Sequence, residues 1–162
     1  MGLITTTLDA CWDAVENWPA LKDQFKTRFK SDTQLQYLDN AGVAPGHIGN
    51  KWAITIRLQP FNVVPRLQKA IDFPMAFKAE IWGKQDQTRE TQDIIEEVVC
   101  AWFASRPEGN KPTYLESATC GPPQQILGIE VKSIAKAVNE QTFQFCYASA
   151  VAVFKALRNP GS

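Results

Sequence analysis

The chain has 162 residues, 44% hydrophobic and 21% charged, enough for one well-filled core and too few for two ordinary domains, so a single domain over 1–162 is expected. Seventeen basic and seventeen acidic side chains cancel, leaving no overall field to favour nucleic acid, anionic lipid or an acidic ligand, and neither nucleic acid nor membrane is expected as a partner. No apolar run approaches the ~20 residues that cross a bilayer, and MGLITTTLDA lacks the charged-then-apolar pattern of a secretory leader, so the expected location is cytoplasmic.

In chain order, Thr6 or Thr7 can cap a first helix beginning at Leu8, whose inner face is Leu8, Cys11, Trp12 and Val15. Trp18-Pro19 interrupts it, because proline disfavours helical geometry in the residue before it. A second helical piece is predicted from Ala20, since Leu21, Phe25 and Phe29 recur every four residues. Its cations Lys22, Lys26, Arg28 and Lys30 read as a solvated face. Residues 31–50 lose periodicity and carry turn residues, which predicts a loop with at most a short strand at Leu35 to Leu38.

WAITIRL, Trp52 to Leu58, alternates as a half-buried strand with Trp52, Ile54, Ile56 and Leu58 inward. MAFKAEIW, Met75 to Trp82, alternates again. Met75, Phe77, Ala79 and Ile81 point one way; Lys78, Glu80 and Trp82 point the other, toward water or a partner. Gly83-Lys-Gln-Asp then reads as a turn into the clearest amphipathic helix, Thr88 to Ser105. There Ile94, Ile95, Val98, Val99, Trp102 and Phe103 form one stripe, while Asp93, Glu96 and Glu97 form the solvent side.

Residues 106–125, with four prolines and two glycines, read as a long surface loop. A hairpin closes the chain. One strand runs through Gly128 to Val138, Asn139-Glu-Gln turns, and Thr142 to Phe154 returns with Ala148, Ala150 and Ala152 on one side, leaving room for a close neighbour. The Ala-rich run Cys146 to Leu157 also fits helical spacing, and the tail 158–162 is expected to fray. The fold class is therefore α+β, a mostly antiparallel sheet packed against two or three helices in the order α-β-β-α-β-β.

Catalytic chemistry is poorly signalled. His47, in a glycine-flanked turn, lacks a nearby nucleophile to serve as base, and Cys120 has no feature that would lower its thiol pKa. Cys11, Cys100, Cys120 and Cys146 form no CxxC pair, so no metal site, cofactor or catalytic residue is expected.

The order of elements resembles the tail terminator and tail completion (head-tail joining) proteins of long-tailed bacteriophages. LDACWDAVENWPALKDQFKTRF stands as the opening helix, MAFKAEIWGK runs into QDQTRETQDIIEEVVCAWFAS, and the closing pair lies around IEVKSIAKAV and TFQFCYASAVAVF. The resemblance implies a non-enzymatic structural protein of a phage or prophage. Such a protein assembles as a homo-oligomeric ring, contacts other tail or head-joining proteins, and ends in the virion. Outward strand residues Arg57, Lys78, Glu80, Trp82, Lys132 and Lys136 are the interface candidates for that ring. The rival expectation is a small α+β ligand- or partner-binding module with a pocket lined by Trp52, Phe77 and Tyr147.

Overall fold

The computed structural model describes residues 2–40, 42–66, 70–104 and 123–159. Helix α1 (Leu3–Asn17) is followed by a 3-10 turn at Pro19–Leu21 and strand β1 (Phe25–Phe29). Helix α2 (Asp32–Asn40) and a 3-10 turn at Pro45–His47 lead to β2 (Trp52–Gln59), β3 (Val64–Pro65) and β4 (Ile71–Lys84). Helix α3 (Thr88–Ala104), β5 (Gln125–Val138) and β6 (Gln141–Arg158) complete the chain. Among the described residues no helix is long and apolar enough to cross a membrane.

The strands form one sheet in the order β1-β2-β4-β6-β5, with β3 paired to β4 off that path. All pairs are antiparallel except β1 with β2. Thus the α+β class holds, while the element order is richer than α-β-β-α-β-β.

The two added elements explain each other. Phe25 and Phe29 recur every four residues as on a helix, but they lie on a strand whose register shifts between Phe25 and Thr27. That irregularity sends Phe25 into the core beneath the helices and Phe29 into a second core on the opposite side of the sheet. Because β1 and β2 are parallel, a crossover must join them, and α2 occupies it. The expected loop at 31–50 therefore contains a helix and a 3-10 turn. The sequence signal is Ser31-x-x-Gln34: Gln34 N donates to Ser31 Oγ (3.3 Å) and Ser31 N donates to Gln34 Oε1 (3.1 Å), a capping box.

On one side of the sheet, the helix side, α1 and α3 cover Ile54, Phe77, Ile81 and the alanines of β6. The small Ala148, Ala150 and Ala152 admit α3 closely, and Trp102 meets Phe154 edge-on at 6.1 Å. Ile94, Ile95, Val98 and Trp102 are buried as the stripe predicts, but Phe103 at its margin is 43% exposed. Glu97 is half-buried and accepts a hydrogen bond from Trp18 Nε1 (2.6 Å), so it belongs to packing as well as to the solvent side. Helix α1 begins at Leu3 and not Leu8, so Thr6 and Thr7 lie inside it and donate back to Gly2 O and Leu3 O instead of capping it.

Strand β6 stays extended to Arg158, so the helical alternative for Cys146 to Leu157 is not taken; of the tail expected to fray, Arg158 is in the strand and residues 160–162 lie outside the described residues. Asn139 and Glu140 both have positive φ (49° and 67°), the left-handed pair that a two-residue hairpin turn requires. Gly83 lies inside β4 rather than in a turn. Most of the predicted 106–125 loop lies outside the described residues; β5 already begins at Gln125.

Candidate functional site

The alternation of the strands puts all six interface candidates on the side of the sheet away from α1 and α3, the polar side. Cross-strand register sets their order: Arg57 opposes Lys78, Glu80 opposes Ser149, Trp82 opposes Tyr147, and Tyr147 opposes Lys132 in turn. Lys136 lies one turn of alternation beyond Ile134 on the same strand.

Half of this side is covered. Leu38 of α2, Val43 and Ile48 pack with Phe29, Ala53 and Trp82 into the second core. As a result Thr55 and Ala53 are fully buried, and Glu80 and Trp82 are only 9% and 4% exposed. Two of the six candidates therefore do not face outward, because Leu38 of α2 with Val43 and Ile48 folds over them. Over β6 and β5 no such cover lies among the described residues. There Lys132 is exposed, and Lys78, Ile134, Lys136, Val151 and Val153 are half-exposed.

At the boundary between the covered and open halves sits a polar chain. Arg57 Nη2 donates to Glu80 Oε1 (2.8 Å), and Tyr147 Oη donates to Glu80 Oε2 (2.6 Å). Burying a carboxylate without such donors would cost several kcal/mol, and two charge-assisted bonds offset that cost. Burial, and then the Glu80 bond and charge, push the Tyr147 hydroxyl well above its ordinary range. Tyr147 thus holds its proton and acts as a donor, not a base. Lys132 Nζ stands 5.6 Å from the centre of the Tyr147 ring and 2.9 Å from Glu130 Oε1. That Lys132 hydrogen bond and charge hold the Glu130 carboxyl below the usual range.

Two depressions flank the chain. One of about 180 Å³ lies among Leu38, Val43, Arg57, Glu80, Trp82 and Lys136. A shallower one of about 320 Å³ continues over Tyr147, Lys132 and Ile134. Gly42 borders the first with φ +73°, a conformation that favours glycine, and the aliphatic stem of Lys136 runs past it. Trp82 Nε1 is buried without a hydrogen-bond acceptor among the described residues. This side can present cations and partly exposed apolar groups to a partner, or acceptors of negative charge to a small ligand. Glu80 is already committed to two donors and is no free base.

The remaining sequence candidates resolve as structure. His47 Nδ1 accepts from Ala44 N (2.9 Å), and its ring meets Phe29 edge-on at 5.2 Å. Burial, then the charge of Lys26, lower its pKa, which suits the neutral acceptor seen here. Cys11 and Cys146 are buried. Cys100 is exposed, with its thiol pushed up by local burial and by Glu97 and Glu96; Cys120 lies outside the described residues. Trp52, Phe77 and Tyr147 do not share a pocket. Trp52 and Phe77 fill the core under the helices, and Tyr147 fills the core on the other side.

No protein-family model matches the chain, and no curated protein matches it.

Proposed function

We propose that this chain is a non-enzymatic assembly protein that packs against further copies of itself, of the ring-forming tail terminator or completion type, working in the cytoplasm during assembly and ending in the virion. One observation carries the self-assembly: the polar side of β6 and β5 has no cover among the described residues and mixes Lys78, Lys132 and Lys136 with half-exposed Ile134, Val151 and Val153. Partly apolar, charge-rimmed surface of this kind is what a protein contact covers. The run of β4 into α3 and then the β5-β6 hairpin agrees with the element order on which the phage-tail resemblance rests. Negative-stain images of concentrated protein test it: rings of uniform diameter are expected, and a field of single small particles would overturn it.

A second reading, a small-ligand module, is favoured by the 180 Å³ depression, where Arg57 and Lys136 stand near an indole N–H without an acceptor. A thermal-shift screen of carboxylates and inorganic phosphate separates the two, since a ligand that binds only the native state raises the melting point.

A further inference from the structure

Charge in this neutral chain is segregated across the sheet. Helix α3 turns Ile94, Ile95, Val98 and Trp102 inward. Its exposed stripe is therefore Arg89, Asp93, Glu96, Cys100 and Phe103, at spacings of four, three, four and three. Beside it α1 packs through Cys11 O, which accepts from Trp102 Nε1 (3.3 Å), and exposes Asp9 and Asp13. The Asp13 carboxyl is pushed up by partial burial and then by Glu16 and Asp9, with Lys30, which pairs with Glu16, opposing. Across the sheet, the polar side of β5 and β6 carries Lys78, Lys132 and Lys136 against Glu130 alone among the described residues, because Glu80 is consumed by Arg57 and Tyr147.

Resting on the self-assembly reading above, we propose that the open polar side of β5 and β6 in one copy receives the acidic outer surface of α3 of the next. Complementary sign and an apolar anchor both favour that occupant. Phe103, 43% exposed at the end of the acidic stripe, is the kind of aromatic that seats at the centre of a contact, and Val151, level with Lys78, offers it half-exposed apolar surface. The lengths agree as well. From Asp93 to Phe103 the acidic stripe of α3 extends about 15 Å at 1.5 Å per residue. From the level of Gly128, which Lys78 shares through Val151, the strand reaches Lys132 in about 13 Å at 3.3 Å per residue. Since the two surfaces are unlike and lie on opposite sides of the sheet, the contact is head-to-tail, and repeating it closes a ring or extends a stack.

Native mass against concentration, for four proteins, tests this. Lys132→Glu with Lys136→Glu reverses the sheet side; Asp93→Lys with Glu96→Lys reverses the helix. Each pair is expected to weaken assembly by about tenfold or more, because like charges now face each other. The chain carrying all four changes should recover assembly, its signs again opposed. Melting curves confirm folding; should the glutamate pair fail to fold, Lys132→Gln with Lys136→Gln gives the same direction with a smaller loss. If the double variants assemble as the unaltered chain does, or if the fourfold variant stays apart, this contact is wrong while self-assembly stands. If the unaltered chain never assembles, both fall.

Discussion

Gly83→Ala is the substitution the packing forbids most plainly. Gly83 follows Phe77, Ala79 and Ile81 on the helix side of β4, and it opposes Cys146 across the strand pair. Its missing side chain makes room for the Trp52 indole. A Cβ at this position would stand 2.3 Å from Trp52 Nε1 and 2.5 Å from Trp52 Cδ1, closer than real contacts allow. Thr91 Oγ1 would be 3.2 Å away. The indole cannot simply step aside, because Nε1 donates to Thr91 Oγ1 (2.9 Å), which itself donates to Gln87 O (2.6 Å). Overpacking of this kind costs roughly 1–3 kcal/mol, and the lost buried hydrogen bond adds roughly 1 kcal/mol. A total near 3 kcal/mol lowers the melting temperature of a domain this size by about 6–12 °C. Urea unfolding followed by circular dichroism reads it, with Gly128→Ala as the control, since nothing lies within 4 Å of a Cβ there. Truncating Trp52 to Leu should abolish most of the Gly83→Ala cost, because the two changes compete for one space. Equal stability of Gly83→Ala and the unaltered chain, or a cost that survives the Trp52 truncation, would refute the reasoning.

Tyr147→Phe removes one of the two donors on buried Glu80 and is expected to cost about 2 kcal/mol in urea unfolding. The raised Tyr147 pKa means that the folded state keeps a proton the unfolded state loses near 10. Stability should be intact below that pH and decline above it, and tyrosinate absorbance should show Tyr147 titrating only with unfolding. For His47 the sign is opposite: its folded pKa lies below the ordinary 6.5, so its contribution is complete above 6.5 and fades as the pH falls through the depressed value. His47→Asn, which keeps an acceptor for Ala44 N, should flatten that acid limb of the unfolding midpoint. Glu140→Gly relieves a side chain at φ 67° and is expected to raise stability by about 1 kcal/mol in thermal melts.

Helix α3, β4 and the closing hairpin were legible in the sequence because each carries its periodic apolar residues on the face turned to the core under the helices, so periodicity marked that face directly. Strand β1 was not, since its register irregularity places Phe25 and Phe29 on opposite sides of the sheet while leaving them at helical spacing. Helix α2 was hidden by its weakly apolar composition, and only the Ser31-Gln34 capping pattern marked it. The same gap explains the site. Alternation put Arg57, Lys78, Glu80, Trp82, Lys132 and Lys136 on one side of the sheet, but it could not show that Leu38 and Val43 would arrive from another segment to bury Glu80 and Trp82. Gly83 looked like a turn residue because strand glycines leave no periodic trace. Its role depends on Trp52, which is distant in sequence.

The central claim, that open sheet surface on β5 and β6 is covered by another copy of the chain, is tested most directly by native mass across a concentration and salt series. A discrete multiple of the 18.1 kDa chain is expected, growing with concentration and dissociating as salt screens the lysine and carboxylate surfaces. A mass of one chain at every concentration and at low salt would contradict it.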